Sequence, residues 1–469
     1  MSSEPRVCIL VERYLPDTGG TENQTRALAR GLREEGIGVL VITRRFRREL
    51  PRSGAVEGTP VFRAPPWGRS SRMRWMLALT SVPILMRLRK HYDTILVSSF
   101  HTLGAPATAV ARTLGKGCVL KADADGEMSG AFFQPSLAKL GLSRLDGVLR
   151  LGVGVRNMLL RTADAFVSLS SEMAHEFEQC GVDPRRIHTI PNAVDTENFH
   201  PVPPTVKQQL RCRLGLPRRT ILGIYTGRLV TYKGLPGLLR VWKNVACGNE
   251  ESCLVLVGEQ SADIDGCEAE LRRFVTANRL ENRVFFAGHV KNVDEYLKAS
   301  DFFVFPTENE AFGLSLVEAM ACGLPVIATG IGGIKDIIVD RQNGLLIDPA
   351  DADQLEGAIR LMLRVRDTVA RLGREARKTV EEKYSIPVVA RAYARLLRSV
   401  TAHPLRGVRR NPLSSEERRH IPDRSPQPGA SRNDEGQRPV RAGLPAAPGA
   451  VGTYRHADGR KTEPHEVPE

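Results

Sequence analysis

Short apolar runs alternate with helical patterns along the first 200 residues of the chain. Each run is about five residues long, and in the stretches between them apolar residues recur every three or four positions. This alternation predicts a parallel sheet covered by helices. We expect the first helix at Glu22–Gly36, with Thr21 and Gln24 forming a capping box. The predicted strands are Val7–Val11, Val39–Thr43, Thr94–Ser98, Gly117–Lys121 and Ala165–Leu169.

The same pattern returns after a polar, proline-containing stretch at residues 199–219. The strands predicted there are Thr220–Thr226, Cys253–Val257, Val284–Ala287, Phe302–Phe305 and Val326–Thr329. A chain of 469 residues that is 42% hydrophobic can bury two cores of ordinary size. The sequence therefore predicts an α/β protein with an N-terminal domain at 1–200, a linker at 201–219 and a second domain at 220–385. A C-terminal segment at 386–402 contains a predicted helix, Pro387–Ser399. Residues 403–469, rich in Pro, Gly, Arg and Ser, are predicted to be disordered.

Two carboxylates stand eight residues apart in Glu310-Ala-Phe-Gly-Leu-Ser-Leu-Val-Glu318. We expect Glu310 on a glycine-containing loop after a strand, and Glu318 in the first turn of a short helix that ends at Gly323. A strand, a loop and a helix start in this order can bind phosphate. Carboxylates beside them suit sugar and ribose hydroxyls. Alternatively, Ser315 and Glu318 form a capping box, and the glutamate only closes the helix start.

Two cations, Arg228 and Lys233, follow the predicted strand Thr220–Thr226 and a glycine turn. We expect both on a surface loop at the carboxyl end of a parallel strand, which is where open α/β sheets bind ligands. The planar fork of Arg and the compact charge of Lys can converge on a diphosphate. The alternative is a pair of solvated surface cations. With Glu310 and Glu318, the pair makes a set suited to a nucleotide-activated sugar.

These motifs resemble those of the retaining GT-B glycosyltransferases of family 4, the group 1 glycosyl transferases. Their signature pairs a Glu-(seven residues)-Glu element, matched by Glu310 and Glu318, with an upstream Arg-(four residues)-Lys pair, matched by Arg228 and Lys233. The resemblance covers roughly residues 5–400. It implies two Rossmann-like α/β domains that face each other across a cleft, with the helix at 386–402 packing back on the first domain. Further matches are Gly19-Gly20, Ile190–Asp195, Val255–Gly258, Phe286–Val290, Ala299–Pro306 and Gly323–Ala328.

The resemblance implies transfer of a hexose from a UDP- or GDP-sugar to a glycan, lipid-linked or small-molecule acceptor, with retention of configuration, in polysaccharide or glycolipid synthesis. As catalytic residues, Arg228 and Lys233 would oppose the charge that grows on the leaving diphosphate, and Glu310 would contact the sugar. No metal or other cofactor is implied, because fixed cations neutralise the phosphates. The donor-binding residues implied are Glu318 at the ribose, Phe312, Gly313 and Leu314 at the sugar or phosphate, Val290 near the base, and Gly19 and Gly20.

The acceptor side departs from the family pattern. His101 follows a strand where relatives often have a cleft histidine, although it could equally be a satisfied or exposed histidine. Many relatives carry another histidine after the next strand, but here that loop reads Lys121-Ala-Asp-Ala-Asp-Gly-Glu127. Asp123, Asp125 or Glu127 is therefore expected to position the acceptor. A cation site and plain turn chemistry at the Asp-Gly step are the alternatives.

Basic residues concentrate between residues 44 and 90, where 12 Lys and Arg face two glutamates, in a chain of formal net charge +14. Within this window the stretch Arg69–Lys90 interleaves arginines with apolar residues such as Trp75 and Leu79, and Pro83 is expected to interrupt its helix. This composition suits the surface of an anionic membrane. The alternative is a core helix with snorkelling arginines. Nucleic acid is not an expected partner, because no recognition module appears.

The remaining features concern compartment and class. Cys8, Cys118, Cys253 and Cys322 lie in or beside apolar runs, and the eight cysteines show no paired spacing, so we expect buried reduced thiols. No signal-peptide pattern and no spanning apolar run appears. We expect a cytoplasmic protein, peripheral at the inner membrane face. Two rival classes remain: a nucleotide-sugar-binding protein without turnover, and an epimerase or phosphorylase on the same fold.

Overall fold

The architecture comes from a computed structural model. It describes residues 4–16, 19–65, 67–68, 72–133, 146–247, 251–260 and 266–402. Within these ranges the strands form two sheets, one of eight strands and one of six. The predicted disorder at 403–469 lies outside the described residues, and so does Arg69.

The first sheet has the strand order β3-β4-β2-β1-β5-β6-β7-β8. Its strands pair in parallel except β3, which runs antiparallel to β4. The order reverses between β1 and β5, so the loops that follow these two strands open a crevice at the carboxyl edge of the sheet. The strands are β1 Arg6–Leu10, β2 Gly38–Arg44, β3 Ser53–Val56, β4 Thr59–Ala64, β5 Thr94–Ser98, β6 Gly117–Lys121, β7 Ala165–Ser168 and β8 Ile187–Thr189.

Helices cover both faces of this sheet. The core on one face includes Leu77, Phe100 and Phe166, and the core on the other includes Val41 and Tyr393. The last described helix, α14, packs against α1. It therefore belongs to the first domain, although it comes at the end of the described chain. The helices are α1 Gly20–Glu34, α2 Arg72–Arg87, α3 Phe100–Leu114, α4 Asp146–Leu160, α5 Ser171–Gln179 and α14 Ile386–Ala402.

The second sheet has the order β11-β10-β9-β12-β13-β14, and all its pairs are parallel. Its order reverses between β9 and β12, which makes the ends of these two strands the expected ligand crevice. The strands are β9 Ile221–Thr226, β10 Ser252–Val257, β11 Val284–Gly288, β12 Phe302–Phe305, β13 Val326–Thr329 and β14 Leu345–Ile347. The helices are α6 Pro204–Arg213, α7 Leu235–Cys247, α8 Glu268–Ala277, α9 Val293–Ala299, α10 Leu314–Ala321, α11 Ile334–Ile337, α12 Ala352–Arg364 and α13 Arg366–Lys383.

The chain crosses between the two sheets twice, and the crossings lie side by side. The N–H of Val194 donates to the carbonyl of Tyr384 at 2.8 Å. Gln24 of the first domain forms two hydrogen bonds to the earlier crossing. Its side-chain amide donates to the Ala193 carbonyl at 2.7 Å and accepts from the Ala193 N–H at 2.8 Å. The crossings are therefore tied both to each other and to α1.

The strands predicted from the sequence all appear, with ends that differ by at most one residue. The predicted capping box at Thr21 and Gln24 is wrong, because α1 begins at Gly20 without a side-chain cap and Gln24 bonds to Ala193 instead. The predicted break at Pro83 is also wrong. α2 runs through Pro83, which is exposed. Among the described helices, none is long and apolar enough to cross a membrane.

Candidate active site

Glycines bring together the two loops that leave the second sheet at its switch point. Gly234 has φ +70°, and a Cβ there would lie 1.9 Å from the carbonyl oxygen of Pro306. The loop after β9 therefore packs directly on the loop after β12, at a distance that only glycine permits. A Cβ on Gly258, which has φ +139°, would likewise lie 1.9 Å from the Gly227 carbonyl. The backbone segments at this edge are therefore in close contact with one another.

Lys233 and Glu310 meet where these loops touch. The Lys233 Nζ lies 2.8 Å from Glu310 Oε2 and 3.2 Å from the Asn309 carbonyl. Their side chains are only 10% and 20% exposed. The expectation that Lys233 is a surface-loop cation is therefore wrong, since the packing of Gly234 on Pro306 draws it into the sheet edge. The Lys233–Glu310 ion pair is therefore largely shielded from water, and it lies on the loops that follow β9 and β12 at the switch point.

Arg228 stays exposed, as expected for a surface loop. Its carbonyl accepts from the Tyr225 hydroxyl at 3.0 Å, and its Nη2 donates to the Tyr232 hydroxyl at 2.6 Å. The backbone of Arg228 is thus anchored to strand β9, while its guanidinium reaches along the loop towards the Lys233 side. The two cations that the sequence singled out lie on one short turn and share an aromatic neighbour.

The loop that carries Glu310 is supported from behind by a glycine pair after β13. A Cβ on Gly332 would lie 2.1 Å from the Glu310 carbonyl, and one on Gly333 would lie 2.4 Å from the Ala311 carbonyl. Sequence reasoning missed this pair. The signal was the run Gly-Ile-Gly-Gly directly after the predicted strand Val326–Thr329. Any side chain at these positions would push the Glu310 loop out of place.

Helix α10 starts at Leu314, after Gly313 in the left-handed conformation (φ +98°), and no side chain caps it. The Phe312 N–H lies 3.4 Å from Glu310 Oε1, and its ring packs against Tyr384 of the later crossing. The Ser315–Glu318 capping box is wrong, because both residues lie inside the helix. The same boundary places Glu318 in the second turn rather than the first. The helix start is therefore open to an anionic ligand.

Glu318 has a strongly perturbed carboxyl group. Burial, followed by the charge of Asp294, raises its pKa from 4.5 to about 8. Asp294 is itself paired with Lys298 at 2.8 Å. At neutral pH Glu318 is therefore mostly a neutral acid that can donate as well as accept a hydrogen bond. Val290 follows β11 and is half-buried against the second core.

Across the cleft, two of the three acidic residues in the loop after β6 hold that loop together. The Asp123 carboxylate accepts from the hydroxyls of Ser98 and Ser99 at 2.5 and 2.7 Å and pairs with Lys121. Burial tends to raise its pKa, but the Lys121 charge and these hydrogen bonds outweigh it, and the net pKa is lowered. Buried Glu127 accepts from the N–H groups of Asp123 at 2.9 Å and Ala124 at 3.2 Å. Both carboxylates are occupied by the chain itself.

His101 is buried beside the same loop. Its backbone N–H donates to Glu127 Oε2 at 3.0 Å, and its ring Nδ1 lies 3.4 Å from the same oxygen. The centres of the His101 and Phe132 rings lie 4.1 Å apart. Sequence reasoning missed Glu176 on α5, whose carboxylate accepts from the N–H groups of Gly126 and Ser129 at 2.9 and 2.8 Å. Glu127 and Glu176 thus clamp the loop from two sides.

Asp125, between these two glutamates, is exposed. Partial removal of its carboxyl group from water, and then the charges of Glu172, Glu176, Glu310 and Glu127, raise its pKa from 3.8 to about 6. Glu310 belongs to the other domain, so the two loops sense each other across the cleft. Within the described residues no group of three or more His, Cys, Asp or Glu is placed to hold a metal ion.

Gly19 and Gly20 begin α1 at the switch point of the first sheet. Gly19 is extended and Gly20 is the first helical residue, which is exposed. A Cβ on Gly20 would meet nothing within 4 Å, so a ligand has room beside it. The open start of α1 thus lies at the carboxyl end of β1, the edge at which parallel sheets bind ligands.

The outer face of α2 is apolar and exposed. Trp75 and Leu79 are 58% and 75% exposed, whereas Leu77 and Leu85 on the inner face are fully buried. The inner face is therefore that of a core helix, and membrane contact by the outer face stays a prediction. The described basic side chains at its end, Arg87 among them, are exposed, and the side chains of Arg72 and Arg74 lie outside the described part of the chain.

Two family descriptions match this chain. "Glycosyltransferase Family 4" matches residues 18–198, and "Glycosyl transferases group 1" matches residues 206–379. The chain is 33% identical over 199 residues to the D-inositol 3-phosphate glycosyltransferase of Xylanimonas cellulosilytica, covering 41% of this chain and 47% of that protein. It is 27% identical over 364 residues to the protein of the same name from Frankia alni, covering 73% and 86%. The chain spans about half the length of the first curated relatives that it matches.

Among solved structures, Anabaena HepE in complex with UDP and glucose is similar to this chain with a TM-score of 0.67 and 21% identity. The match covers 84% of this chain and 100% of HepE. Identity at this level supports the two-domain fold alone.

Proposed function

Because the chain belongs to the group 1 glycosyl transferases, with the GT-B fold, we propose that it transfers a hexose from a UDP- or GDP-sugar to an acceptor hydroxyl, with retention of configuration. The acceptor is a glycan, a lipid-linked sugar or a small molecule. The proposal rests on the Lys233–Glu310 pair beside Arg228 at the switch point of the second sheet. HepE, a protein of the same fold, binds UDP and glucose.

The donor diphosphate enters between Arg228, Lys233 and the open start of α10. The Lys233 ammonium then shares its charge between Glu310 and a phosphate oxygen. Glu310, partly released, accepts a hydrogen bond from a hydroxyl of the sugar. As the bond between the sugar C1 and the phosphate oxygen breaks, negative charge grows on the leaving diphosphate beside two positioned cations. Catalysis here is electrostatic, and the nucleotide-sugar is a substrate.

Glu318 and Val290 hold the rest of the donor. Glu318 faces the ribose hydroxyls as a partly neutral acid, and its raised pKa makes the strength of this contact depend on pH. The backbone near Val290 faces the base, and the N–H groups from Phe312 to Leu314 face the sugar or phosphate.

The acceptor hydroxyl approaches from the first domain, near Gly19, Gly20 and the loop after β6. Asp125 positions it, since Asp123 and Glu127 are occupied in holding that loop. The acceptor oxygen forms its bond to C1 on the face from which the diphosphate leaves, and its proton passes to a leaving phosphate oxygen. Atoms and charge then balance without any other reactant.

An acceptor carried by a lipid would also explain the outer face of α2. Its exposed Trp75 and Leu79 can enter the headgroup region while basic residues such as Arg87 contact anionic lipids. We therefore place the protein in the cytoplasm, peripheral at the inner membrane face, in polysaccharide or glycolipid synthesis.

A thermal-shift panel of UDP-, GDP- and ADP-sugars tests the donor assignment. A ligand at 100 times its dissociation constant adds about 2.7 kcal/mol of stability, which such a melt resolves. NMR of the product formed with the stabilising donor then reports the anomeric configuration. Stabilisation without turnover on any acceptor would indicate a binding protein, and donor isomerisation without an acceptor an epimerase. No shift with any nucleotide-sugar would refute the proposal.

A further inference from the structure

Tyr232 lies between the two cations of the loop after β9. Its hydroxyl accepts from Arg228 Nη2 at 2.6 Å. The centre of its ring lies 5.9 Å from the Arg228 guanidinium carbon and 5.1 Å from the Lys233 ammonium. An aromatic ring carries negative charge on its faces and attracts cations at such distances. One side chain therefore contacts both of the groups that we assign to the diphosphate.

The backbone of Tyr232 ties its loop to the loop that carries Glu310. Its carbonyl accepts from the N–H of Glu308 at 2.8 Å and from the Thr307 hydroxyl at 3.4 Å. These bonds act together with the close packing of Gly234 on Pro306. The Tyr232 backbone is therefore fixed by the loop after β12, whereas the Arg228 side chain that its hydroxyl contacts is exposed.

An exposed arginine samples many rotamers in water, and fixing it costs conformational entropy. If Arg228 is ordered before the donor arrives, less of the binding free energy is spent on ordering it. The bond to the Tyr232 hydroxyl supplies that order, and the ring attracts the two like charges on one turn.

We infer that Tyr232 is a positioning residue for the glycosyl transfer: it orients the Arg228 guanidinium through its hydroxyl and keeps Arg228 and Lys233 converged on the donor diphosphate. This inference rests on the proposed function, because it assumes that Arg228 binds the diphosphate. Tyr232 acts through Arg228 and does not itself react.

A double-mutant cycle with Arg228 tests this role. Tyr232→Phe keeps the ring and loses the hydroxyl. We expect it to weaken the binding of UDP or GDP, whichever the wild type binds, by about tenfold in isothermal titration, and to lower donor hydrolysis kcat/KM by a similar factor. In the Arg228→Ala background the same change should alter either quantity less than about twofold, because the partner is already gone.

The outcomes separate the two ideas. If Tyr232→Phe binds and turns over like wild type, or if the effects of the two substitutions multiply in the double variant, Tyr232 does not act through Arg228 and this inference fails alone. If Arg228→Ala keeps full affinity and turnover, the diphosphate assignment fails as well. Wild-type protein that binds neither nucleotide refutes the proposed function itself.

Tyr92→Phe is the matched control. It also removes a tyrosine hydroxyl, one that donates to the Leu85 carbonyl at 3.0 Å within the first domain. It should lower the melting temperature somewhat and leave nucleotide affinity unchanged. A loss of affinity in Tyr92→Phe equal to that in Tyr232→Phe would show that the effect is general destabilisation.

Discussion

Breaking the Lys233–Glu310 pair has two consequences that a double-mutant cycle can separate. Lys233→Met removes the ammonium 2.8 Å from Glu310 Oε2 and leaves a carboxylate that is only 20% exposed. Removing one partner of a fully buried ion pair costs about 3–5 kcal/mol. Since water still reaches part of this pair, we expect about 2 kcal/mol, seen as a fall of about 4–8 °C in the melting temperature.

The double variant Lys233→Met/Glu310→Gln leaves no uncompensated charge. Its stability should recover to within about 1 kcal/mol of wild type, because a neutral pair of similar size fits the same space. Its turnover should remain at least about a hundredfold below wild type, because the charge opposite the leaving diphosphate is still missing. Stability and activity would then diverge in one protein.

Differential scanning calorimetry and donor turnover, measured on the same preparations, supply both quantities. Lys207→Met is the matched control. Lys207 lies on α6 of the same domain, and its Nζ forms a partly exposed ion pair with Asp301 Oδ1 at 3.1 Å. The substitution should lower stability and keep turnover. Lys233→Met with wild-type turnover would show that this lysine does not serve the diphosphate. An unchanged melting temperature would refute the reasoning about the shielded pair.

Four further outcomes are expected. Between pH 4.5 and about 8, Glu318 keeps its proton in the folded protein and loses it in the unfolded chain. The free energy of unfolding of the wild type should therefore fall as the pH rises through this window, by up to about 1 kcal/mol per pH unit. Calorimetry should show a shallower fall in Glu318→Gln. Turnover should rise with pH through about 6 as Asp125 ionises, and the pH–rate profile of Asp125→Asn should lack this limb. The Asp336 carboxylate accepts a hydrogen bond from the N–H of Ser171, the first residue of α5, at 2.6 Å across the two domains. Asp336→Asn weakens this bond, so acceptor KM should rise severalfold while titration finds nucleotide affinity unchanged. Leu79→Glu should reduce sedimentation with anionic liposomes, whereas Val339→Glu, at an apolar position 54% exposed on the second domain, should not.

The strands were predictable because each is an apolar run buried on both faces, and helices must cover such a sheet. Among the described strands, β3, β4, β8 and β14 were missed; three of them lie at sheet edges, and β4 lies between β3 and β2. β3 is almost wholly exposed, β8 is only half-buried, and neither has an apolar run to signal it. The order of the strands, and so the switch point, could not be obtained from periodicity, because periodicity says nothing about which strands pair.

The site was predictable as a set of residue types and not as a set of contacts. Arg228 and Glu310 stood out because charged residues follow buried strands. The burial of Lys233 depends on Gly234 meeting Pro306, a contact between segments about seventy residues apart. Helix starts were misjudged because a Ser or Thr three residues before Glu or Gln is a local signal. At α1 the tertiary bond from Gln24 to Ala193 prevailed over it.

The acceptor loop shows why residue type alone overcounts candidates. Three carboxylates lie within five residues there, and each could position a hydroxyl. Backbone N–H groups need acceptors when a loop is packed against a domain, and Glu127 supplies them while Asp123 balances Lys121. Those two carboxylates cannot serve a substrate without releasing the loop. We therefore propose that exposed Asp125 positions the acceptor and that the donor phosphate takes the proton as negative charge grows on the leaving diphosphate.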